Sequence, residues 1–281
     1  MDIPRSYLFV PGTRPDRFAK ACASGAHAVI IDLEDAVPAA EKQSARDAVA
    51  DWLNPAQPVL IRINSAETAW FHEDAALCRA PGVAAIMLAK TEGVEHLRHL
   101  EALLGKGVPI LPLIETARGF ANVKEIARDW AVRRLVFGAL DFQLDLGIQG
   151  DREELLYFRS QLVLVSRLAC IQPPVDGINT EIDDPEPLRA DTLRARRFGF
   201  GGKLCIHPKQ VAHVNAAFLP TEDEIAWARR IVSAAAASGG GAVANQGHMV
   251  DRPVILRAEQ ILRESGQQAT PGRSPAAGPQ P

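Results

Sequence analysis

Two acidic residues close two successive apolar runs of this 281-residue chain. Glu115 ends Pro109-Ile-Leu-Pro-Leu-Ile, and Asp141 ends Leu135-Val-Phe-Gly-Ala-Leu. A carboxylate at the end of a buried strand is costly unless a partner offsets its desolvation. A divalent cation is such a partner. Mg²⁺ takes hard oxygen ligands and needs only one or two protein carboxylates beside substrate and water. The pair therefore points to metal-assisted chemistry. The plainer alternative is that one of the two pairs with an arginine or caps a helix.

Other groups fall at the ends of apolar runs. Glu34 and Asp35, in Ile31-Asp-Leu-Glu-Asp-Ala36, suit holding metal-bound water or orienting an arginine. Asp35 equally suits the N-cap of the next helix, with Pro38 near its first turn. Arg62 lies among apolar neighbours in Leu60-Ile-Arg-Ile-Asn64. Its planar fork fits a carboxylate or an enolate oxygen, and a buried ion pair with Glu34 or Asp35 is compatible with that role. Thr13 reads as the N-cap of a helix with Pro15 in its first turn. That helix start, with Arg14, Arg17 and Lys20, fits a phosphate-bearing ligand or a solvated basic face. His207 and Lys90 read as structural, the lysine as a charge partner. There is no Gly-x-Ser-x-Gly, no Cys-His pair and no zinc-type spacing.

The elements that must position these groups are short apolar runs, most of them followed by a helical pattern. The runs are Tyr7–Pro11, Ala28–Asp32, Val59–Asn64, Ala84–Lys90, Pro109–Thr116, Leu135–Asp141, Val175–Asn179 and Lys203–His207. Most are continuous, as strands buried on both faces should be. Helical stretches include 14–24, 41–52, 94–104, 120–129, 153–170 and 187–198. Strands alternating with helices imply a parallel sheet, and eight units imply a (β/α)₈ TIM barrel with its site at the C-terminal strand ends. An open doubly wound sheet is the competing architecture, but no Gly-x-Gly-x-x-Gly is present. The expected division is a barrel over 1–218, a C-terminal helical lid or arm extension over 219–264 and a disordered tail over 265–281. The arm opens on Thr221 with Glu224 three residues on, a capping box, and Gly239-Gly-Gly241 reads as a hinge.

Composition narrows the class. The formal charge of −3 argues against a nucleic-acid partner. No apolar run is long enough to span a membrane. Four scattered cysteines read as reduced thiols, and the expected location is cytoplasmic.

In this order, Arg5-Ser-Tyr-Leu-Phe-Val-Pro-Gly-Thr-Arg-Pro-Asp-Arg17, Ile31-Asp-Leu-Glu-Asp-Ala-Val37, Ile61-Arg-Ile-Asn64, Ile114-Glu-Thr116, Phe137-Gly-Ala-Leu-Asp-Phe142, Gly199-Phe-Gly-Gly-Lys-Leu-Cys-Ile-His-Pro208 and Met249-Val-Asp-Arg-Pro253 form a specific set. It resembles the citrate lyase β-subunit-like family within the HpcH/HpaI aldolase and malyl-CoA lyase superfamily. The resemblance implies a barrel enzyme binding Mg²⁺ through Glu115 and Asp141. It implies substrate contacts from Arg62, Glu115, Arg14 and Lys20, the last two on coenzyme A. It further implies that Asp251 of an adjacent subunit is the acid/base, in a homotrimer or homohexamer. The implied reaction is cleavage of a 3-hydroxyacyl-CoA thioester (malyl-, citramalyl- or citryl-CoA) to acetyl-CoA and a 2-oxo acid. Two competing readings are a metal-dependent pyruvate aldolase that needs no coenzyme A and a non-catalytic barrel subunit binding a thioester-loaded carrier.

Overall fold

Runs of Val, Ile and Leu without alternation become strands covered on both sides. In the computed structural model, which describes residues 3–105, 107–237, 243–245 and 248–266, eight of them close into a parallel barrel in chain order. The strands are β1 (Ser6–Pro11), β2 (Ala28–Asp32), β3 (Val59–Ile63), β4 (Val83–Leu88), β5 (Ile110–Ile114), β6 (Arg134–Phe137), β7 (Gln172–Asp176) and β8 (Gly202–Cys205). Around them run α1 (Phe18–Cys22), α2 (Lys42–Trp52), α3 (Phe71–Leu77), α4 (Val94–Leu104), α5 (Ala117–Ala121), α6 (Val123–Ile126), α7 (Ala139–Leu146), α8 (Leu156–Leu168), α9 (Pro185–Phe198) and α10 (Pro208–Ala217). This is a TIM barrel.

Alternation along each strand splits the core in two. One set, with Tyr7, Ile30, Leu60, Met87, Leu113, Val136, Val175 and Leu204, fills the barrel. The other, with Ile31, Ile61, Ile114, Phe137 and Cys205, packs against the helices. The floor is sealed by Arg134, a fully buried guanidinium. It donates to the carbonyls of Pro4 (2.6 Å) and Pro173 and to the Tyr7 hydroxyl (3.0 Å), and it lies over the Tyr7 ring.

Three expectations change. The seventh strand lies at Gln172–Asp176, not Val175–Asn179. Its Pro173-Pro174 pair hides a strand, because proline cannot donate to a ladder; the β6–β7 register shifts there and Arg134 takes the Pro173 carbonyl. The apolar run from Leu135 to Asp141 is not one strand. Strand β6 stops at Phe137, and Asp141 falls in the first turn of α7. Thr13 caps no helix, since α1 is preceded by a single 3₁₀ turn at Pro15–Arg17 and neither start has a side-chain cap.

The chain parts into two compact units between Phe218 and Leu219. The second contains α11 (Glu222–Ala237), a short antiparallel pair, β9 (Val243–Asn245) with β10 (His248–Val250), and α12 (Arg252–Glu264). Glu224 Oε2 accepts from Thr221 N–H at 2.8 Å and Thr221 Oγ1 from Glu224 N–H at 3.2 Å, the capping box. Ile225, Ala228, Ile231, Ala258, Ile261 and Leu262 form this unit's own core. Ser265 and Gly266 turn the chain after α12. The triple glycine and residues 267–281 lie outside the described residues. No described helix is long and apolar enough to cross a membrane.

Candidate active site

The mouth of the barrel is built by neighbouring strand ends. Asp32 closes β2 and lies in register with Arg62 of β3. Both are two residues on from inward-facing Ile30 and Leu60, so both point into the barrel. Asp32 grips the guanidinium with both oxygens, at 2.7 Å to Nε and 2.6 Å to Nη2. The same carboxylate accepts from Glu34 and Ala36 N–H. The remaining Arg62 nitrogen, Nη1, lies 3.0 Å from Glu34 Oε2 and 3.8 Å from Asp35. The Glu34 approach is an ion contact off hydrogen-bond alignment, because Oε2 has no aligned donor. Phe9 lies under the guanidinium, 4.7 Å from ring centre to Cζ. Burial pulls the Arg62 pKa down, but Asp32, Glu34 and Glu115 outweigh it and raise it, so the group stays charged.

Asp32 carries the part of the site that the motifs left unassigned. Its signal was present: two charged residues at inward positions of adjacent strands must pair across the ladder. The expected partners of Arg62, Glu34 and Asp35, take only its third nitrogen. Asp35 caps no helix, since Pro38 and Glu41 occupy the two N-cap positions that follow. It is exposed and lies 3.9 Å from Lys90 Nζ.

Glu115 follows β5 and is buried to 1% exposure. Its Oε1 accepts the Lys90 N–H at 2.7 Å. Its Oε2 rests against Gly138, where a Cβ would stand 2.6 Å from both Oε2 and the Glu115 Cβ. Glycine at 138 therefore makes room for this carboxylate. Burial, then Glu34, then Asp141 push the Glu115 carboxyl up to about 8, against the opposing pull of Lys90. The Lys90 ammonium lies 2.5 Å from Glu34 Oε1. Burial holds Glu34 above the usual carboxylate range even so, with Arg62 and Lys90 opposing it. Five acids, Asp32, Glu34, Asp35, Glu115 and Asp141, thus outnumber the three cations near them, Arg62, Lys90 and Lys42. Among the described residues no three His, Cys, Asp or Glu side chains form a ready-made metal cage. Two carboxylates with surplus negative charge around them do fit a cation that keeps water and substrate in its shell.

The loop that carries Glu34 is held from below. Lys42 Nζ, buried, donates to the Leu33 and Glu34 carbonyls and to Asn64 Oδ1, at 2.6, 2.7 and 2.8 Å. Asp74 takes the Asn64 backbone and side-chain N–H groups and pairs with Arg46. His207 is structural, its Nδ1 accepting from Lys209 N–H as the cap of α10.

The other expected residues have no part in the contacts given for this mouth. Arg14 is locked on Asp16 by two hydrogen bonds, 2.9 and 2.8 Å. Lys20 is exposed on α1. Asp251, in the second unit, caps α12 and accepts the Val254 N–H at 3.3 Å.

Residues 5–208 match the model of the family described as HpcH/HpaI aldolase/citrate lyase. A citrate lyase subunit beta-like protein of Deinococcus radiodurans is 39% identical over 276 residues, 92% of this chain and 96% of that protein. The L-malyl-CoA/beta-methylmalyl-CoA lyase of Rhodobacter capsulatus is 32% identical, over 93% of this chain and 94% of its own. The crystal structure of the CitE protein of Mycobacterium tuberculosis in complex with magnesium, acetoacetate and coenzyme A is similar, with a TM-score of 0.85 and 34% identity. That alignment covers 94% of this chain and 98% of the other. With a match over most of its length and relatives of this similarity, the chain belongs to the HpcH/HpaI aldolase/citrate lyase family.

Proposed function

We propose that this protein is a Mg²⁺-dependent carbon–carbon lyase that cleaves a 3-hydroxyacyl-CoA thioester by retro-Claisen chemistry. The substrate carries a carboxylate on the carbinol carbon, as malyl-, citramalyl- and citryl-CoA do. The products are acetyl-CoA and a 2-oxo acid. The observation that carries this reading is Glu115, a carboxyl at the end of β5 raised first by its burial and then by Glu34 and Asp141, beside the Arg62 guanidinium. Such an acid-rich pocket is relieved by a divalent cation. Glu115 and Asp141 would hold it, and Glu34 and Asp35 would orient its water. When bound, Mg²⁺ supplies Lewis-acid polarisation of the substrate hydroxyl and carboxylate oxygens.

The chain's own residues do the rest. The hydroxyl proton passes to solvent water, the C–O bond becomes the new carbonyl as the adjacent carbon–carbon bond breaks, and that bond's electron pair passes into the thioester as an enolate. Arg62 places fixed positive charge by that oxygen, preorganised by Asp32. Nη1, the nitrogen that Asp32 leaves free, is the group turned to the substrate. Asp251 of a neighbouring copy protonates the enolate carbon, or removes a methyl proton in the reverse direction. Arg14 and Lys20 bind coenzyme A phosphates, and Arg14 exchanges Asp16 for that contact. The relatives named as acting on malyl-CoA, and the magnesium and coenzyme A in the similar structure, support the reading.

The test is mass spectrometry of products from purified protein given Mg²⁺ and the three synthetic thioesters, with the free 3-hydroxy acids as controls. Acetyl-CoA and the matching 2-oxo acid are expected from at least one thioester and are lost with chelator. Cleavage of a free acid, or full turnover in chelator, would overturn the reading.

A further inference from the structure

Lys90 stands out twice. It is one of two described non-glycine residues with positive φ, at 47°, a conformation that costs a side-chain-bearing residue energy and persists only where its surroundings impose it. Here they do. Ala89 N–H is tied to the β3 end through Ile63 O at 3.3 Å, and Thr91 N–H to Leu113 O of β5 at 3.2 Å. Thr91 Oγ1 also donates back to Leu88 O at 2.8 Å. With both neighbours hooked to flanking strands, residue 90 takes the left-handed turn. The turn aims its N–H at Glu115 Oε1 and its ammonium at Glu34 Oε1, 2.7 and 2.5 Å away.

We propose that Lys90 is a positioning residue with two separable parts: its backbone N–H fixes the Glu115 carboxylate, and its ammonium holds Glu34 against Arg62. The division follows from the contacts. Glu34 stands between two cations, Lys90 on one oxygen and Arg62 Nη1 on the other. Without Lys90 it loses its only aligned side-chain donor among the described residues. Nη1, which the proposed function turns to the substrate, then loses the carboxylate held 3.0 Å from it. This inference rests on the lyase reading only for its activity arm.

Two variants remove the ammonium and keep the backbone N–H, so a loss of Mg²⁺ affinity beyond tenfold in both would overturn the backbone part. Lys90→Gly keeps the N–H and removes the backbone cost. Lys90→Met removes the charge and keeps the stem. In both, Mg²⁺ affinity by calorimetry is expected within tenfold of wild type, because the Glu115 contact is backbone. Turnover is expected to fall about 10–100-fold, as for residues that orient ligands, and Lys90→Arg to recover part of it. A double-mutant cycle is expected to show that Lys90→Met adds less than about twofold in a Glu34→Gln background. The crystal structure of Lys90→Met, compared with that of wild type, is expected to show Glu34 displaced from Arg62. Turnover within twofold of wild type in both variants, multiplicative losses in the cycle, or Glu34 still on Arg62 in the Met variant would each overturn the proposal. If wild type binds Mg²⁺ but cleaves no thioester, the lyase reading fails while the crystal comparison still decides the role of Lys90.

Discussion

At the scale of single residues, Glu115 is where burial and charge conflict most. Its raised pKa gives the sign of two pH effects. Metal binding requires the ionised form, so below about pH 8 Mg²⁺ must displace a proton. Calorimetric affinity is expected to climb roughly tenfold per pH unit up to that point and then level off. Without metal the linkage runs the other way. A carboxyl raised on folding stabilises fully below its unfolded value of about 4.3, and that contribution fades as pH rises through about 8. Melting of chelator-treated wild type should therefore lose stability relative to Glu115→Gln as pH rises. Glu115→Gln or Asp141→Asn is expected to weaken Mg²⁺ binding by more than roughly 100-fold; wild-type affinity in either would remove that residue from the metal role. Gly138→Ala probes the same carboxylate by volume. Overpacking should cost about 1–3 kcal/mol, and Glu115 must move, so metal affinity should fall with the fold retained by circular dichroism.

At the scale of elements, two buried networks link strands to helices. Lys42 of α2 fastens the loop after β2 to Asn64 after β3. Lys42→Met leaves Asn64 Oδ1 without its donor, while Leu33 O keeps Asn64 Nδ2 and Glu34 O keeps the Val37 N–H, and denaturant unfolding should show a loss of about 1–3 kcal/mol. Asp176 of β7 meets Lys203 of β8 in register and Arg159 of α8. Desolvation raises its pKa, but those two cations outweigh it and leave it lowered. Its contribution is thus present above the unfolded value of about 3.9 and is lost as pH falls through the lower folded one. Asp176→Asn should cost about 3–5 kcal/mol at neutral pH, a gap that closes in acid. The strands themselves were legible because a doubly covered strand is written as an unbroken apolar run. The β6–α7 change was not, since apolar residues continue from Leu135 to Leu140 across it and only Gly138 marks the turn. Helix α3 was missed for its seven-residue length. The left-handed turn at Lys90 had no local signal, as it is imposed by flanking strands.

At the scale of the whole molecule, the site is proposed to be finished by another copy. Asp251 enters that proposal through its motif alone, and its capping contact was not legible in the sequence. The two roles are separable because asparagine also caps helices well. Asp251→Asn should leave melting unchanged while stopping hydrogen exchange at the acetyl-CoA methyl. Mixing it with Glu115→Ala should restore part of the activity if the residue works across subunits, and verified mixing without rescue would confine it to one chain. Arg134, meanwhile, has a consequence for how the chain is made. Its donor reaches the Pro4 carbonyl across 130 residues, and Ser6–Leu8 pairs only with Lys203–Cys205 on that edge. A polypeptide leaving the ribosome must therefore keep β1 unzipped on one side until β8 has been made. Nascent chains stalled before Gly202 should be quickly digested by protease, and those that have cleared Ala217 should resist.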